Sequence, residues 1–268
     1  LIDIPKDVQF ASGKYQKKGE GLTSRYNPKT SPQQELIIKA VKAFEVSKKP
    51  ILYTGGGVVN SGDKASALLR ELVADSNFPV TSTLMGLGCY PASGKNWLGM
   101  LGMHGTYEAN MAMHGCDFMF CIGARFDDRI TGKTDEFSPN SVKVHIDIDP
   151  SSINKNILVD IGIVGDITIS LETFLSLWRE RGSKSNVKEL KSWWKTIEDW
   201  KKIDCLRFKN SKEVIKPQYA LQTLESLTKN MDRYVTTEVG QHQMWAAQFI
   251  GFEEPRRWMT SGGLGTMG

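Results

Sequence analysis

The sequence predicts an α/β fold: a doubly wound, Rossmann-like parallel sheet, followed by the start of a second, smaller α/β domain. Between residues 31 and 177, short runs that are apolar on both faces alternate with amphipathic helical stretches. Strands of that kind belong to parallel sheets covered by helices on both sides. The same alternation begins again at Pro217, which predicts the second domain.

The composition indicates a globular protein with a substantial core. Of its 268 residues, 40% are hydrophobic and 24% are charged, which suits one large or two moderate domains. The formal charge is only +4 and the lysines are scattered, so no nucleic-acid-binding face is indicated. The longest apolar runs are too short for a membrane-spanning helix. We therefore expect neither nucleic acid nor membrane as a partner.

The elements follow from periodicity and from capping signals. Ser31 offers an N-cap, Pro32 suits the first helical position, and Gln34 completes a capping box. Apolar faces mark two helices, with Leu36, Ile37, Ala40, Val41 and Phe44 on the first and Ala65, Leu68, Leu69, Leu72 and Val73 on the second. A third helix is predicted at residues 106–114, and strands at residues 51–54, 79–84, 118–122, 142–148 and 161–164. The second domain is predicted to hold a helix through Leu227, a strand at 234–240, a helix from His242 and a strand at 257–260.

Four segments are predicted along the chain. Residues 1–30 hold an opening strand and a polar connector, residues 31–181 the Rossmann-like domain, residues 182–215 a helical linker, and residues 216–268 the start of the second domain. Both ends interrupt an element or a loop, so we expect an internal piece of a longer protein. In the linker Trp193, Trp194 and Trp200 recur at roughly helical spacing. Packing against a neighbour is favoured over a ligand site for them.

Candidate binding residues follow the predicted strands, where open α/β sheets place their ligands. Gly55-Gly56-Gly57 could bring backbone N–H groups to a phosphate, and a plain tight turn is as good an interpretation. Small-residue loops follow at residues 83–88 and 98–105. The second of these loops carries His104, which is either a structural hydrogen-bonding residue or part of a site.

Charged side chains follow the later strands. Four of them, Arg125, Asp127, Asp128 and Arg129, predict either a ligand contact or an internal network of salt bridges. Asp147 and Asp149 suit ribose hydroxyls, and Asp166 suits either these or a helix N-cap. Together the strand ends predict a long, nucleotide-like cofactor.

Two other patterns are weaker indicators. Cys89, Cys116, Cys121 and Cys205 show no CxxC spacing, which predicts buried free thiols in a reducing compartment rather than a metal site. Residues 263–268 spell GxGxxG, but no helix or acidic residue follows as the dinucleotide fingerprint requires.

Five strings closely resemble the catalytic subunits of the acetohydroxyacid synthase (acetolactate synthase) family, in order and over essentially the whole chain. They are Gly-Met-His-Gly-Thr at 102–106, Gly-Ala-Arg-Phe-Asp-Asp-Arg at 123–129, His-Ile-Asp-Ile-Asp at 145–149, Val-Gly-Gln-His-Gln-Met-Trp-Ala-Ala-Gln at 239–248, and Ser-Gly-Gly-Leu-Gly-Thr-Met-Gly at 261–268. The resemblance implies a central FAD-binding domain and the opening of a domain that binds thiamine diphosphate. The activating glutamate and the Mg²⁺ ligands of the family would lie outside these residues.

The resemblance also implies roles for individual residues. Contacts to FAD are implied for Gly56, Thr83, Leu84, Leu101, Gly102, Met103, His104, Gly123, Ala124, Arg125, Phe126, Asp127, Asp147, Ile148, Asp166 and Ile167. Contacts to thiamine diphosphate are implied for Val239, Gly240, Gln241, His242, Gly265 and Met267. Lys6, Met103, Asp128 and Arg129 match the family's substrate channel, where cations suit the carboxylate of a 2-oxo acid. No catalytic residue and no metal ligand is expected within the chain.

The reaction that the resemblance implies is decarboxylation of pyruvate and ligation to a second 2-oxo acid, pyruvate or 2-oxobutyrate. It further implies a homodimer or homotetramer, a regulatory small subunit, and the bacterial cytoplasm or a plastid. These 268 residues alone are expected to be inactive. Two alternatives remain: another thiamine-diphosphate enzyme of the same architecture, such as a pyruvate oxidase or a glyoxylate carboligase, and a non-catalytic nucleotide-binding or electron-transfer domain.

Overall fold

The computed structural model describes residues 4–15, 28–262 and 265. Its strands are β1 (Pro50–Thr54), β2 (Val80–Ser82), β3 (Trp97–Met100), β4 (Phe118–Ile122), β5 (Val142–Asp147), β6 (Ile161–Val164), β7 (Val235–Thr237) and β8 (Trp258–Thr260). Its helices are α1 (Lys6–Phe10), α2 (Gln34–Val46), α3 (Gly56–Asn60), α4 (Asp63–Ser76), α5 (Tyr107–Gly115), α6 (Asp128–Thr131), α7 (Ile167–Glu180), α8 (Val187–Lys201), α9 (Pro217–Thr228) and α10 (Gln241–Phe249). No helix in this part of the chain is long and apolar enough to cross a membrane.

The first six strands form one parallel sheet in the order β3-β2-β1-β4-β5-β6. In the middle of the sheet, Leu52 pairs with Val80 on one side and with Phe120 on the other. This sheet confirms the predicted doubly wound α/β class. The strand order reverses between β1 and β4, and at such a switch point a ligand crevice opens beyond the carboxyl ends of the strands.

The main core lies on both faces of this sheet. On one face Phe44 of α2 packs against rings of β4 and α7, including Phe120 and Trp178. On the other face α8 packs against α5. There Trp193 donates its Nε1–H to the carbonyl of Pro50 at 3.0 Å. The tryptophans of α8 therefore serve packing, as their spacing predicted.

The second unit shares its core with the first. Its strands β7 and β8 pair in parallel, with Val235 opposite Trp258. Its small apolar cluster consists of Ala246, Ala247, Ile250, Phe252 and Trp258, completed by Leu87 and Met100 from the Rossmann-like domain. The two units are therefore joined by a continuous apolar contact.

Three local predictions were wrong. The first long helix begins at Gln34 rather than after Ser31, and Gln33 makes no side-chain cap bond, because residues 30–32 run along the turn before α7, where Asp166 N–H donates to Thr30 O at 2.8 Å. The predicted opening strand is not seen at Ile4 and Pro5, which precede helix α1; its first three residues lie outside the described part. Cys205 is exposed, whereas Cys89, Cys116 and Cys121 are buried as predicted.

Candidate functional site

The strand-end residues predicted to contact a cofactor lie along one edge of the sheet. Because β1 to β6 are parallel, their carboxyl ends share that edge. The predicted residues follow these ends in turn: Gly56 after β1, Thr83 and Leu84 after β2, Leu101 to His104 after β3, Gly123 to Asp127 after β4, Asp147 and Ile148 at the end of β5, and Asp166 and Ile167 after β6. The structure brings them into one row. Their contact with a flavin remains a prediction.

The glycine triplet after β1 packs directly against the loop after β4. Gly55 N–H donates to Ile122 O at 3.0 Å, and Gly57 N–H donates to Gly123 O at 2.9 Å. A Cβ on Gly57 would lie 2.6 Å from the Gly123 Cα, so side chains are excluded by this approach of two backbones. Of the two interpretations of the triplet, a tight packing turn fits Gly55 and Gly57. The Gly57 N–H in particular is already used.

The charged residues after β4 form local ion pairs rather than a buried network. Arg125 lies 2.8 Å from Asp127, and Arg129 lies 3.2 Å from Asp128. The two arginine side chains are 67% and 70% exposed, so each remains available to an anionic ligand.

Asp127 is the N-cap of α6 and accepts a hydrogen bond from Arg129 N–H at 3.1 Å. Partial burial raises the pKa of Asp127, but that hydrogen bond, together with the neighbouring guanidinium groups, more than offsets this, and the net pKa is lowered. The carboxylate is thus held ionised at the mouth of the switch point.

Phe126 occupies a strained position in the same loop. Its φ is 53°, a left-handed value that costs a non-glycine residue about 1 kcal/mol or more. Its buried ring packs between Tyr53 and His145, and its carbonyl accepts from Asn156 Nδ2 at 2.8 Å. Only its backbone can therefore face a ligand. Other predicted contact residues are buried in the same way, namely Leu101, Ala124 and Ile167.

The two aspartates after β5 and β6 are already engaged by the protein. Asp147 accepts a hydrogen bond from Asp149 N–H at 2.9 Å, and its side chain is only 15% exposed. Asp166 caps α7 through Ile169 N–H at 3.2 Å and accepts from Ser61 Oγ at 3.1 Å. The N-cap interpretation of Asp166 is therefore confirmed. A ribose contact would have to share those carboxylate oxygens.

A cavity of about 590 Å³ lies between the sheet edge and the second unit. The Rossmann-like domain contributes Leu84, Leu101, Met103, His104 and Arg129 to its wall, and the second unit contributes Val239, Gly240, Gln241 and Gly265. Residues predicted for the flavin and residues predicted for thiamine diphosphate thus meet around one space. This junction is the candidate active site.

Other predicted residues lie apart from this cavity. His242 and Asp128 are exposed near it but do not line it, and Lys6 lies on α1, which buries no residue. Met267 lies outside the described residues, as does most of the GxGxxG string. In the described part of the chain, no group of three His, Cys, Asp or Glu side chains could hold a metal ion.

Sequence reasoning missed Gln243, which is part of the cavity wall. It is buried, and its Nε2 donates to Thr260 Oγ1 at 2.6 Å and to Ser261 O at 3.2 Å. It thereby fixes the backbone that leads into the glycine loop. A polar residue on the inward side of a predicted helix was the available signal.

Comparison with known proteins agrees with this architecture. A family model described as the thiamine pyrophosphate enzyme central domain matches residues 37–174, more than half of the chain. The chain belongs to the thiamine pyrophosphate enzyme family. A second model, the C-terminal TPP binding domain of these enzymes, matches residues 238–268. Both models thus contribute residues to the cavity.

Individual relatives cover the whole chain. It is 46% identical over 270 residues to the acetolactate synthase isozyme 3 large subunit of Escherichia coli, and 48% identical to the acetolactate synthase large subunit of Haemophilus influenzae. It is 40% identical to an acetolactate synthase of Mycobacterium leprae. Each match covers 100% of this chain but 46%, 46% and 42% of the relative. The chain therefore spans about half the length of the curated relatives it matches.

Proposed function

We propose that these residues belong to an acetolactate synthase catalytic subunit, which decarboxylates pyruvate and joins the product to a second 2-oxo acid. The products are 2-acetolactate or 2-aceto-2-hydroxybutyrate, as in the biosynthesis of branched-chain amino acids. The observation that carries the proposal is the shared cavity, where the matched central and TPP-binding segments supply opposite walls. Identity to acetolactate synthases along the whole chain supports it.

Each wall has a proposed ligand. Val239, Gly240, Gln241 and Gly265 hold thiamine diphosphate, which supplies the nucleophile and the electron sink when bound. The sheet edge holds FAD, and its row of backbone groups and carboxylates fits a long nucleotide. Mg²⁺ would accompany the diphosphate through ligands outside this sequence. Arg129, on the cavity wall, offers its guanidinium to the carboxylate of the 2-oxo acid.

The whole enzyme is proposed to be a homodimer or homotetramer that recruits a regulatory small subunit. The printed names of the relatives, which distinguish a large subunit, support this assembly. Their bacterial sources support a place in the bacterial cytoplasm, with a plastid as the alternative.

The test uses the protein at its full natural length, loaded with FAD, thiamine diphosphate and Mg²⁺. We expect it to form 2-acetolactate from pyruvate with release of CO₂, and 2-aceto-2-hydroxybutyrate when 2-oxobutyrate is added. Absence of both products from a protein that has bound the cofactors would refute the proposal. Pyruvate-dependent reduction of an electron acceptor would indicate an oxidase, and tartronic semialdehyde from glyoxylate a carboligase of the other type. Flavin turnover without CO₂ release would indicate an electron-transfer domain.

Arg129→Gln tests the substrate side of the same proposal. Losing a charge-assisted bond to a carboxylate should raise KM for pyruvate by about tenfold or more. Lys133→Gln is the matched control, because Lys133 is an exposed cation that pairs with Glu136 and does not line the cavity. Equal KM values for the two variants would remove Arg129 from the proposed site.

A further inference from the structure

The loop between β3 and α5, residues 101–105, separates the two walls of the cavity. Met103 and His104 are exposed at its tip and line the cavity, while Gly102 is buried behind them. Gly102 has a φ of 93°, a conformation that glycine adopts without strain. A Cβ there would lie 2.7 Å from Arg129 O. The loop therefore has one tightly defined course.

Asn110 of α5 ties this loop to the Rossmann-like domain. Gly102 N–H donates to Asn110 Oδ1 at 2.8 Å, and Asn110 Nδ2 donates to Gly102 O at 3.0 Å. One amide side chain thus satisfies both polar groups of a buried backbone residue. Leaving either group unmatched in the interior is costly.

Gln248 ties the same loop to the second unit. Its Nε2 donates to His104 O at 2.8 Å. Gln248 lies near the end of α10, whose first residue, Gln241, belongs to the opposite wall of the cavity. Between these two bonds, Met103 N–H donates to Arg129 O at 2.9 Å. Three consecutive loop residues are therefore bound to three different helices.

We propose that Asn110 and Gln248 are positioning residues for the two cofactor sites, and that Gln248 couples them. The inference rests on the proposed function. A ligand held by Gly240 and Gln241 restrains the start of α10, a short helix that moves as one body. Gln248 passes that restraint to His104 O and so to the loop on the flavin side. Because binding linkage is reciprocal, each cofactor then tightens the binding of the other.

The experiment measures FAD affinity by calorimetry, with and without thiamine diphosphate and Mg²⁺, on the protein at its full natural length. Gln248→Glu keeps the size of the side chain but removes the donor. We expect thiamine diphosphate to tighten FAD binding in the unaltered protein by about fivefold, the effect of one hydrogen bond. In Gln248→Glu that gain should vanish. Asn110→Asp, which turns an acceptor toward Gly102 O, should weaken FAD binding by a similar factor under both conditions.

Gln222→Glu is the matched control, since Gln222 lies exposed on α9 and the charge change is the same. We expect it to behave as the unaltered protein. If Gln248→Glu keeps the full gain from thiamine diphosphate, or if Gln222→Glu loses it equally, the coupling role is wrong.

Hydrogen exchange separates this inference from the proposed function. The amides of residues 102–106 should exchange several-fold faster in Gln248→Glu and Asn110→Asp than in the unaltered protein, even without cofactors, while β1 and β4 stay unchanged. Unaltered exchange in both variants would overturn the positioning role. Failure of the unaltered protein to bind either cofactor would refute the proposed function, and the exchange comparison would still decide whether the two side chains hold the loop.

Discussion

The four cysteines differ in environment, and this decides their chemistry. Burial is the largest cause that raises the pKa of Cys116, to about 11, and hydrogen bonds from Ser138 and Ser141 only partly oppose it. Burial likewise raises the pKa of Cys89 and Cys121. Cys205 is exposed, and its Sγ accepts from Tyr107 N–H at 3.2 Å. Since the thiolate is the reactive form, only Cys205 combines access with reactivity.

Alkylation should therefore be selective. At pH 8, a thiol with a pKa of about 11 is ionised in about one molecule in a thousand. With iodoacetamide we expect Cys205 to be modified within minutes, and the buried thiols only after unfolding in guanidinium chloride, as followed by mass spectrometry of peptides. Cys205→Ser should abolish the fast reaction. Rapid modification of Cys116 in the folded protein would contradict the buried environment.

At the residue scale, the sequence predicts where a side chain lies better than what it contacts. Asp166 was expected after a strand, either as a ligand contact or as an N-cap, and both suit a carboxylate in that position. The choice depended on Ser61, more than a hundred residues away, whose hydroxyl donates to the second carboxylate oxygen. No local pattern contains that contact. The ion pairs of Arg125 and Arg129, by contrast, join near neighbours.

At the scale of elements, the strongly periodic segments were predictable and the short irregular ones were not. The apolar runs that became β1 and β4 are continuous, and the face of α2 repeats at helical spacing. Strand β3 was missed because Gly99 interrupts it and only its register with β2, Trp97 opposite Val80, holds it extended. Helix α3 was missed because it begins with two glycines, which weaken helices by themselves.

Gly123 tests the close approach of the loops after β1 and β4. Its φ is 65°, and a Cβ there would lie 2.7 Å from the Gly57 Cα. Gly123→Ala should therefore combine backbone strain with overpacking and lower the free energy of unfolding by about 2 to 5 kcal/mol. Urea denaturation followed by circular dichroism measures this change.

Gly132 provides the control for that measurement. Its φ is 56°, but a Cβ there would meet no atom within 4 Å. Gly132→Ala should therefore show the backbone strain alone, about 1 kcal/mol. If both alanine variants lose the same amount of stability, the loop contact adds nothing, and the glycines after β1 are free for another role.

For the whole molecule, the two units are unequal partners. The Rossmann-like domain has aromatic and aliphatic residues packed on both faces of a six-stranded sheet. The second unit has two paired strands, and α9 buries no residue fully. It completes its apolar cluster with Leu87 and Met100 from the larger domain. Its folding therefore depends on the first unit, and the cavity between them exists only when both are folded.

Separating the units tests this dependence. Residues 28–215 expressed alone should unfold cooperatively in urea, with a stability reduced by about 3 to 6 kcal/mol because Leu87 and Met100 lose their cover. Residues 216–268 alone should show no cooperative transition, since a segment this short cannot bury enough apolar surface without help. Residues 28–268 serve as the reference. A cooperative transition in residues 216–268 alone would show that the second unit holds its own core, and that the contact at Leu87 and Met100 is docking between two independently folded domains.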